Sequence, residues 1–327
     1  MPRQARQPLL IAVLIGVGIV VAQALLVPLF AAPAANLGPR DLPVVVAGPA
    51  PAADALAAQL AQREPGAFEI TRAPDDAAAD AILRDHQAYA AFVVEPAGLA
   101  VHTASGAGPT VAQLVGQAAA SMNAQVTDVV PGSPDDPRGA GFAAGFLPFA
   151  LTALAAGAAL ALLVTTRWAR FTGVLVFGVL AGLVGPLVLQ QWLGVLTGDY
   201  LLNAAAIGLF ATAVAGIVAG LGSVLGRPGV ALGALTVFLV GNPLSAVSAA
   251  PELLPQPWGA VGQFLPIGAG GSLLRSTAFF DGAGAAGPAW VLGTYAVVGL
   301  LLASVGGART RRSTPAAEPA DRVAAAA

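Results

Sequence analysis

The chain has 327 residues, of which 57% are hydrophobic and 10% charged, and its formal net charge at pH 7 is −2. Recognition of nucleic acid requires a concentrated basic surface, so nucleic acid is not an expected partner. Because cysteine is absent, disulfides, thiolate metal sites and cysteine nucleophiles are excluded. Every basic side chain is arginine, and together with the abundance of alanine, glycine and proline this suggests a GC-rich bacterial genome.

Six long apolar stretches dominate the sequence. None contains Asp, Glu, Arg or His, and each approaches or exceeds the ~20 residues that a helix needs to cross a bilayer. Only helices satisfy their backbone groups within spans of this kind. We therefore predict an α-helical polytopic membrane protein with six transmembrane helices and a small external α/β domain inserted after the first helix. The predicted spans are Leu9–Phe30, Phe142–Val164, Phe171–Leu196, Tyr200–Leu225, Val230–Val247 and Pro288–Val305.

The first stretch has two interpretations. Small residues at 31–35 offer a cleavage site of the kind that follows a secretory signal peptide. The apolar run is, however, longer than the ~7–15 residues of a signal-peptide core, which favours an uncleaved anchor. In that case residues 1–31 comprise a cytoplasmic N-terminus and the first transmembrane helix.

Residues 32–141 change character and carry most of the acidic side chains. Apolar alternation and helical spacing succeed one another in the order β-α-β-α-β-β-α-β, which predicts a small α/β domain with helices covering a sheet. The predicted elements are Pro43–Ala47, Ala52–Arg63, Phe68–Thr71, Asp75–Asp85, Tyr89–Val94, Leu99–Thr103, Pro109–Gln125 and Thr127–Val130.

Candidate catalytic side chains in this domain are few: His86, His102, Ser105 and the pair Asp135 and Asp136. Any domain of this size contains such residues, so we interpret the histidines and the serine as surface or core residues. The two aspartates precede Pro137 and favour a turn. The sequence thus predicts no catalytic site, no metal site and no cofactor, and the chain is not expected to be an enzyme.

Residues 142–306 form the predicted five-helix membrane domain, and amide side chains in its spans concentrate toward the outer ends. Polar groups are costly in lipid, so these amides could line a wet outer vestibule. Alternatively, the outer ends lie close to water and amides there cost little. The hypothetical substrate path comprises Gln23, Gln190, Gln191, Asn203 and Asn242.

Glycines four residues apart recur in the spans, and such pairs let helix backbones approach closely. They predict packing within the chain or, alternatively, a dimer face. The pairs are Gly178 and Gly182, Gly216 and Gly220, and Gly229 and Gly233.

The segment 248–287 is too apolar for a solvated loop and too interrupted by proline and glycine for a span. We predict an outer re-entrant segment with two short helices, around Trp258–Phe264 and Gly271–Phe280. Arg275 is expected to reach the lipid headgroups or to pair with Asp281.

Arginines fix the predicted orientation, because cytoplasmic loops of membrane proteins carry an excess of basic residues. In the termini and the short loops they fall on one side of the predicted spans, as Arg3 and Arg6, Arg167 and Arg170, Arg227, and Arg309, Arg311 and Arg312. Both termini are therefore expected in the cytoplasm of a bacterial cell, with the chain in the inner membrane. Residues 307–327 are predicted to be a disordered cytoplasmic tail.

This arrangement resembles the ABC type-2 transporter permease superfamily, and within it the phage-infection-protein-like branch of bacterial membrane proteins. The resemblance covers nearly the whole chain and is carried by architectural motifs without a catalytic signature. They are Ala88–Val94 (AYAAFVV), Val101–Gly108, the junction from Asp128–Pro131 to Asp136-Pro137, and Pro257–Gly282 (PWGAVGQFLPIGAGGSLLRSTAFFDG).

The resemblance implies a homodimeric or heterodimeric permease that exports a lipid, glycan or drug-like molecule. It also implies a separate ATP-binding subunit, since a chain without lysine cannot contain the usual ATP-binding loop. The hypothetical contact with that subunit is the short loop holding Arg167, Trp168 and Arg170; alternatively, Trp168 belongs to the aromatic belt at the membrane interface. The alternative is a non-transporting envelope scaffold or receptor whose external domain binds a partner.

Overall fold

The computed structural model describes residues 3–96 and 98–306. Helices dominate these residues, and a single five-stranded sheet lies between the first and second long helices. The predicted tail 307–327 and Ala97, in the predicted hairpin turn, lie outside the described residues.

Five helices are long and apolar enough to cross a membrane, which indicates a membrane-embedded protein. Helix α1 spans Arg3–Ala35, α5 Ala140–Leu163, α6 Arg167–Pro186, α7 Tyr200–Leu225 and α12 Ala286–Val305. A π-helical segment, Leu187–Trp192, extends α6. Among the five, α7 is the most buried, whereas the most apolar part of α1 contains no buried residue.

The stretch predicted as the fifth span is helical but irregular, and it is not among these five. It consists of α8, Arg227–Ala234, then a π-helical segment, Leu235–Val240, then α9, Gly241–Leu244. Polar residues at its ends make this stretch less apolar than the five long helices, because it begins at Arg227 and ends near the pair Asn242-Pro243. The count of six spans therefore stays a prediction.

The order of elements in the α/β region is confirmed. The strands are β1 Leu42–Ala47, β2 Phe68–Ala73, β3 Ala90–Glu95, β4 Gly98–Thr103 and β5 Gln125–Asp128. The helices are α2 Ala50–Arg63, α3 Asp76–Arg84 and α4 Pro109–Ser121. Local chemistry fixes the helix starts: the Asp75 carboxylate caps α3 by accepting from the Ala78 N–H, and α4 begins at a proline.

The sheet has the strand order β2-β1-β3-β4-β5. Strand β1 is parallel to β2 and β3, β3 and β4 form an antiparallel hairpin, and β4 is parallel to β5. The central strands β1 and β3 are buried on both faces, as expected for strands that pair in parallel beneath helices.

One apolar core of the α/β domain is completed by a distant part of the chain. Residues 246–254, which follow α9 and include a short 3₁₀ turn at Pro251–Leu253, pack against β1, β3 and helices α2 and α4. On the other face of the sheet, Phe280 packs against Val45, Leu83 and Ala91. The domain is therefore docked firmly onto one end of the helical bundle, which we call the domain end.

Glycine packing holds the long helices together, and the prediction of contacts within the chain is confirmed. A Cβ added at Gly182 would meet backbone atoms of Ala204 and Gly208 on α7. One added at Gly220 would meet the Gly299 carbonyl oxygen on α12, and one at Gly299 would meet the backbone of Gly216. These helices touch backbone to backbone.

Two short helices precede α12: α10, Trp258–Gln263, lies close to its predicted place, whereas α11, Pro266–Phe279, begins earlier than the predicted Gly271. Helix α11 is buried along nearly its whole length against α7 and α12. The expectation for Arg275 was wrong. Its side chain is buried, and among the described residues it forms no ion pair with Asp281.

Candidate functional site

Two of the predicted path residues, Gln190 and Asn203, meet in a buried hydrogen-bond network near the domain end. The Asn203 side-chain amide donates to Gln190 Oε1 at 3.0 Å and to the Thr197 carbonyl at 2.8 Å. Thr277 Oγ1 donates to Asn203 Oδ1 at 2.8 Å. Asn203 is fully buried, so these bonds join α7, α11 and the loop before α7.

The other three predicted path residues lie apart from this network. Gln23 is exposed on α1, and Gln191 is exposed in the π-helical end of α6. Asn242 is half-buried and lines a cleft between the end of α1 and the segment that follows α9. The five amides therefore do not form one continuous wall.

The cleft beside α1 consists of two cavities of ≈ 370 Å³ and ≈ 200 Å³ that share Pro33. The larger one is mainly apolar and is lined by Leu25, Leu29, Leu244, Trp258 and neighbouring residues. The smaller one is more polar, with Asn242, Ser245 and Ser248 in its wall. The cleft thus changes from apolar to polar toward the α/β domain.

A third cavity, of ≈ 220 Å³, lies where the α/β domain meets α11, and we call it the junction cavity. From the domain it is lined by His86, Gln87 and Tyr89, and from the membrane part by Glu252, Ser272 and Arg275. A small cavity of ≈ 20 Å³ also borders Arg275 and shares Val247 and Ser248 with the cleft. The cleft beside α1, the small cavity and the junction cavity thus form a series in which each cavity shares at least one wall residue with the next.

The titratable groups of the junction cavity are strongly influenced by burial. Desolvation lowers the pKa of His86 to about 4, against the opposing effect of its contact with the Ala283 carbonyl. Burial also raises the pKa of Glu252 and of Tyr89, whose hydroxyl donates to Glu252 Oε2 at 2.9 Å. The neutral forms of His86, Tyr89 and Glu252 are therefore favoured, and Arg275 is the cationic side chain of the cavity wall.

The hypothetical partner loop lies at the opposite end of the bundle. Trp168 is 68% exposed, and the Arg167 guanidinium lies 5.8 Å from its ring centroid. Arg170 is instead buried and donates to the carbonyls of Leu160, Val164 and Gly306, at the C-terminal ends of α5 and α12. An arginine at helix C-termini satisfies free carbonyls, so Arg170 ties these two helices together.

His102, Ser105 and Asp136, three other candidate side chains of the α/β domain, have structural partners. His102 Nδ1 lies 2.6 Å from Asp80 Oδ1, and Ser105 Oγ donates to Asp128 Oδ2 at 2.5 Å. Asp136 accepts from the backbone N–H groups of Gly141 and Phe142 at the start of α5. Within residues 3–96 and 98–306, no three His, Asp or Glu side chains are grouped to hold a metal ion.

Comparison with known proteins gives no match among family models, curated proteins or solved structures.

Sequence reasoning missed the junction cavity, although one feature could have indicated it. Arg275 is the only charged residue of α11, and a lone charge in an apolar segment is usually functional or paired. Tyr89 and Glu252 gave no such indication, because 163 positions separate the two partners of their hydrogen bond.

Proposed function

We propose that this chain is the membrane subunit of an exporter for an amphiphilic molecule, of the ABC type-2 permease kind. The observation that supports this most is the series of adjoining cavities from the apolar surface of α1 to the junction cavity. A lipid, glycan-lipid or drug-like molecule has an apolar part and a polar part, and the series changes character in the same way.

In this proposal the cleft beside α1 holds the apolar part of the cargo. Leu25 and Leu29 on α1, with Trp258 opposite, supply an apolar surface on a helix whose most apolar part contains no buried residue. Ligand sites are mostly apolar with a few placed polar groups, and Asn242 and Ser245 provide such groups at the polar side of the cleft.

The proposed setting is the inner membrane of a bacterial cell, with six spans, an external α/β domain and cytoplasmic termini. The positions of the arginines support it, since Arg167, Arg170 and Arg227 all lie at the end of the bundle opposite the α/β domain. The irregular helix 227–244 runs between the two ends and serves as the remaining span.

An ATP-binding subunit is the proposed energy source, and Trp168 is the proposed anchor for it. Interface hot spots are enriched in Trp and Arg, and Trp168 is an exposed tryptophan with the Arg167 guanidinium beside its ring. Arg167 remains available beside it, whereas Arg170 is engaged with three backbone carbonyls.

Co-purification from the native host tests this proposal. We expect an ATP-binding protein to be retained by the native chain and by Trp192→Ala, and lost with Trp168→Ala, at equal abundance in the membrane. Trp192 is a suitable control because it is 79% exposed and lies at the domain end. Failure of any ATP-binding protein to co-purify with the native chain would reject the permease assignment.

The competing proposal is an envelope scaffold or receptor. It is favoured by the backbone contact of α7 with α6 and α12, which leaves no room for a cargo between these helices. Under this proposal the helices act as an anchor, Trp168→Ala changes no partner, and proteins recovered with the chain bind through the α/β domain.

A further inference from the structure

Arg275 occupies an unusual position for a charged side chain. It is 6% exposed, and its Nη2 donates to the Val247 carbonyl at 3.0 Å. Its Cζ lies 4.9 Å from the ring centroid of Phe142, which adds a cation–π contact. A guanidinium carries five N–H donors, so one carbonyl and one ring leave most of its hydrogen-bonding capacity unused.

No carboxylate neutralises this charge within residues 3–96 and 98–306. The described ion pairs join Arg72 to Asp54, and Arg84 and His102 to Asp80, all within the α/β domain. Glu252, the acidic residue in the wall of the junction cavity, accepts a hydrogen bond from the Tyr89 hydroxyl instead. A buried charge without a counter-charge is costly, which favours an anion supplied from outside the chain.

The junction cavity offers the space for such an anion. Its ≈ 220 Å³ is several times the ~30 Å³ that one water occupies in the liquid, so it can hold a group of phosphate or carboxylate size with its hydration. Ser272 lines the cavity one helical turn from Arg275, but its hydroxyl already donates to Gln263 Oε1 at 2.6 Å, so the guanidinium is the donor that faces an anion here. Burial raises the pKa of Glu252, which reduces its repulsion of an incoming anion.

We infer that Arg275 binds the oxyanion of a membrane amphiphile, a phosphate or carboxylate, in the junction cavity. The oxyanion site itself does not depend on transport; only its assignment to an amphiphile rests on the proposed function. The small cavity that borders Arg275 shares Val247 and Ser248 with the cleft beside α1. This places the oxyanion site next to the surface proposed for the apolar part of the same molecule.

Thermal unfolding of the purified full-length chain in a neutral detergent tests the inference, with tryptophan fluorescence as the readout. The probes are short-chain phosphatidylglycerol, the matching uncharged diacylglycerol, and inorganic phosphate. We expect a saturable rise in the midpoint with phosphatidylglycerol and none with diacylglycerol. Stabilisation by inorganic phosphate to the same extent would keep the oxyanion site but reject the amphiphile as its source.

Variants then assign the effect to Arg275. Because charge-assisted hydrogen bonds contribute ~1.5–3 kcal/mol, Arg275→Gln should weaken the apparent affinity for phosphatidylglycerol by about tenfold or more. Arg275→Lys should retain part of it. Arg72→Gln is the matched control, since Arg72 is a partly exposed arginine paired with Asp54, and its affinity should equal that of the native chain.

A second pair of variants covers the case in which Arg275→Gln fails to fold. Gln87 is exposed at the cavity wall, so Gln87→Glu adds a negative charge there with little change in shape, and should weaken binding. Gln59→Glu, at an exposed position of α2, should not. Unchanged affinity in Arg275→Gln or Gln87→Glu, or equal stabilisation by diacylglycerol, would overturn the inference.

Discussion

At the scale of single residues, His86 shows how the α/β domain and the membrane part are joined. Its ring stacks on Phe280 with centroids 4.0 Å apart, and its Nδ1 lies 3.3 Å from Ser276 Oγ and 3.4 Å from the Ala283 carbonyl. The residue adopts a positive φ of 57°, a conformation that is uncommon for residues other than glycine and in which Asn, Asp and His are enriched. A histidine in this position is held by packing, and its burial disfavours the charged ring.

The pKa of His86, about 4 in the folded chain against an ordinary value of 6.5, predicts acid sensitivity. Between these values the unfolded chain binds the proton and the folded chain does not. The contribution of His86 to the free energy of unfolding is therefore fully present above pH 6.5 and is lost as the pH falls toward 4. The loss has an upper bound of about 3–4 kcal/mol. Unfolding midpoints measured from pH 7 to pH 4.5 should decrease in the native chain.

His86→Asn is the corresponding variant, because asparagine tolerates positive φ and does not titrate. In this variant, the part of the decrease in the unfolding midpoint that is due to His86 should disappear. An identical acid profile in His86→Asn and the native chain would refute the role of His86.

Glu252 acts in the opposite sense. Its raised pKa favours the protonated form, so its contribution to stability is lost as the pH rises through the raised pKa.

At the scale of elements, the sequence predicted those features that depend on neighbouring residues in the chain. The order of strands and helices in residues 42–128 followed from periodicity, and the starts of α3 and α4 from their capping aspartate and proline. The end of α4 was predicted at Gln125 but lies at Ser121, because β5 already begins at Gln125 to pair with β4. That pairing involves residues distant in the chain and leaves no periodic pattern in exposed β5.

The candidate site was less predictable for the same reason. Asn242 was identified because an amide within an apolar span is unusual, and it does line a cavity. Gln190 and Asn203 were identified in the same way but satisfy each other, which only the packing of α6 against α7 reveals. The fate of Arg275 depended on Phe142 and Val247, residues that no local pattern connects with it.

Helix α12 provides a test of backbone packing with its own control. A Cβ at Gly299 would press on the backbone of Gly216, whereas one at Gly293 would meet nothing within 4 Å. Gly299→Ala should therefore lower stability by about 1–3 kcal/mol through overpacking. Gly293→Ala should raise it by about 0.5–1 kcal/mol, as alanine usually does in a helix. The two variants are compared by their unfolding midpoints in the same detergent. Equal midpoints would contradict the close contact between Gly299 and Gly216.

At the scale of the whole molecule, orientation remains the central prediction, and the structure identifies suitable reporter positions. Gln59 on α2 is exposed in the α/β domain, and Thr165 is exposed between α5 and α6 at the other end. Ala53 would be a poor choice because it is buried, and a side chain at Gly198 would press on the Thr277 carbonyl.

The chain contains no cysteine, so single cysteines report without background. In intact cells a membrane-impermeant thiol reagent should label Gln59→Cys, since the predicted external domain faces it. Thr165→Cys should react only after the cells are permeabilised. Labelling of Thr165→Cys but not Gln59→Cys in intact cells would reverse the predicted orientation.

The shared core of the α/β domain has a consequence for how the protein is made. Strand β1 and its neighbours are synthesised early, yet part of their apolar cover, residues 246–254, follows only after α5 to α9. At about 5–20 residues per second, the delay is on the order of ten seconds. Throughout it, Leu42, Val44 and Val46 lack part of their final partners. The core of the α/β domain is completed only after the helices up to α9 have been synthesised. Folding of the domain is therefore coupled to membrane insertion.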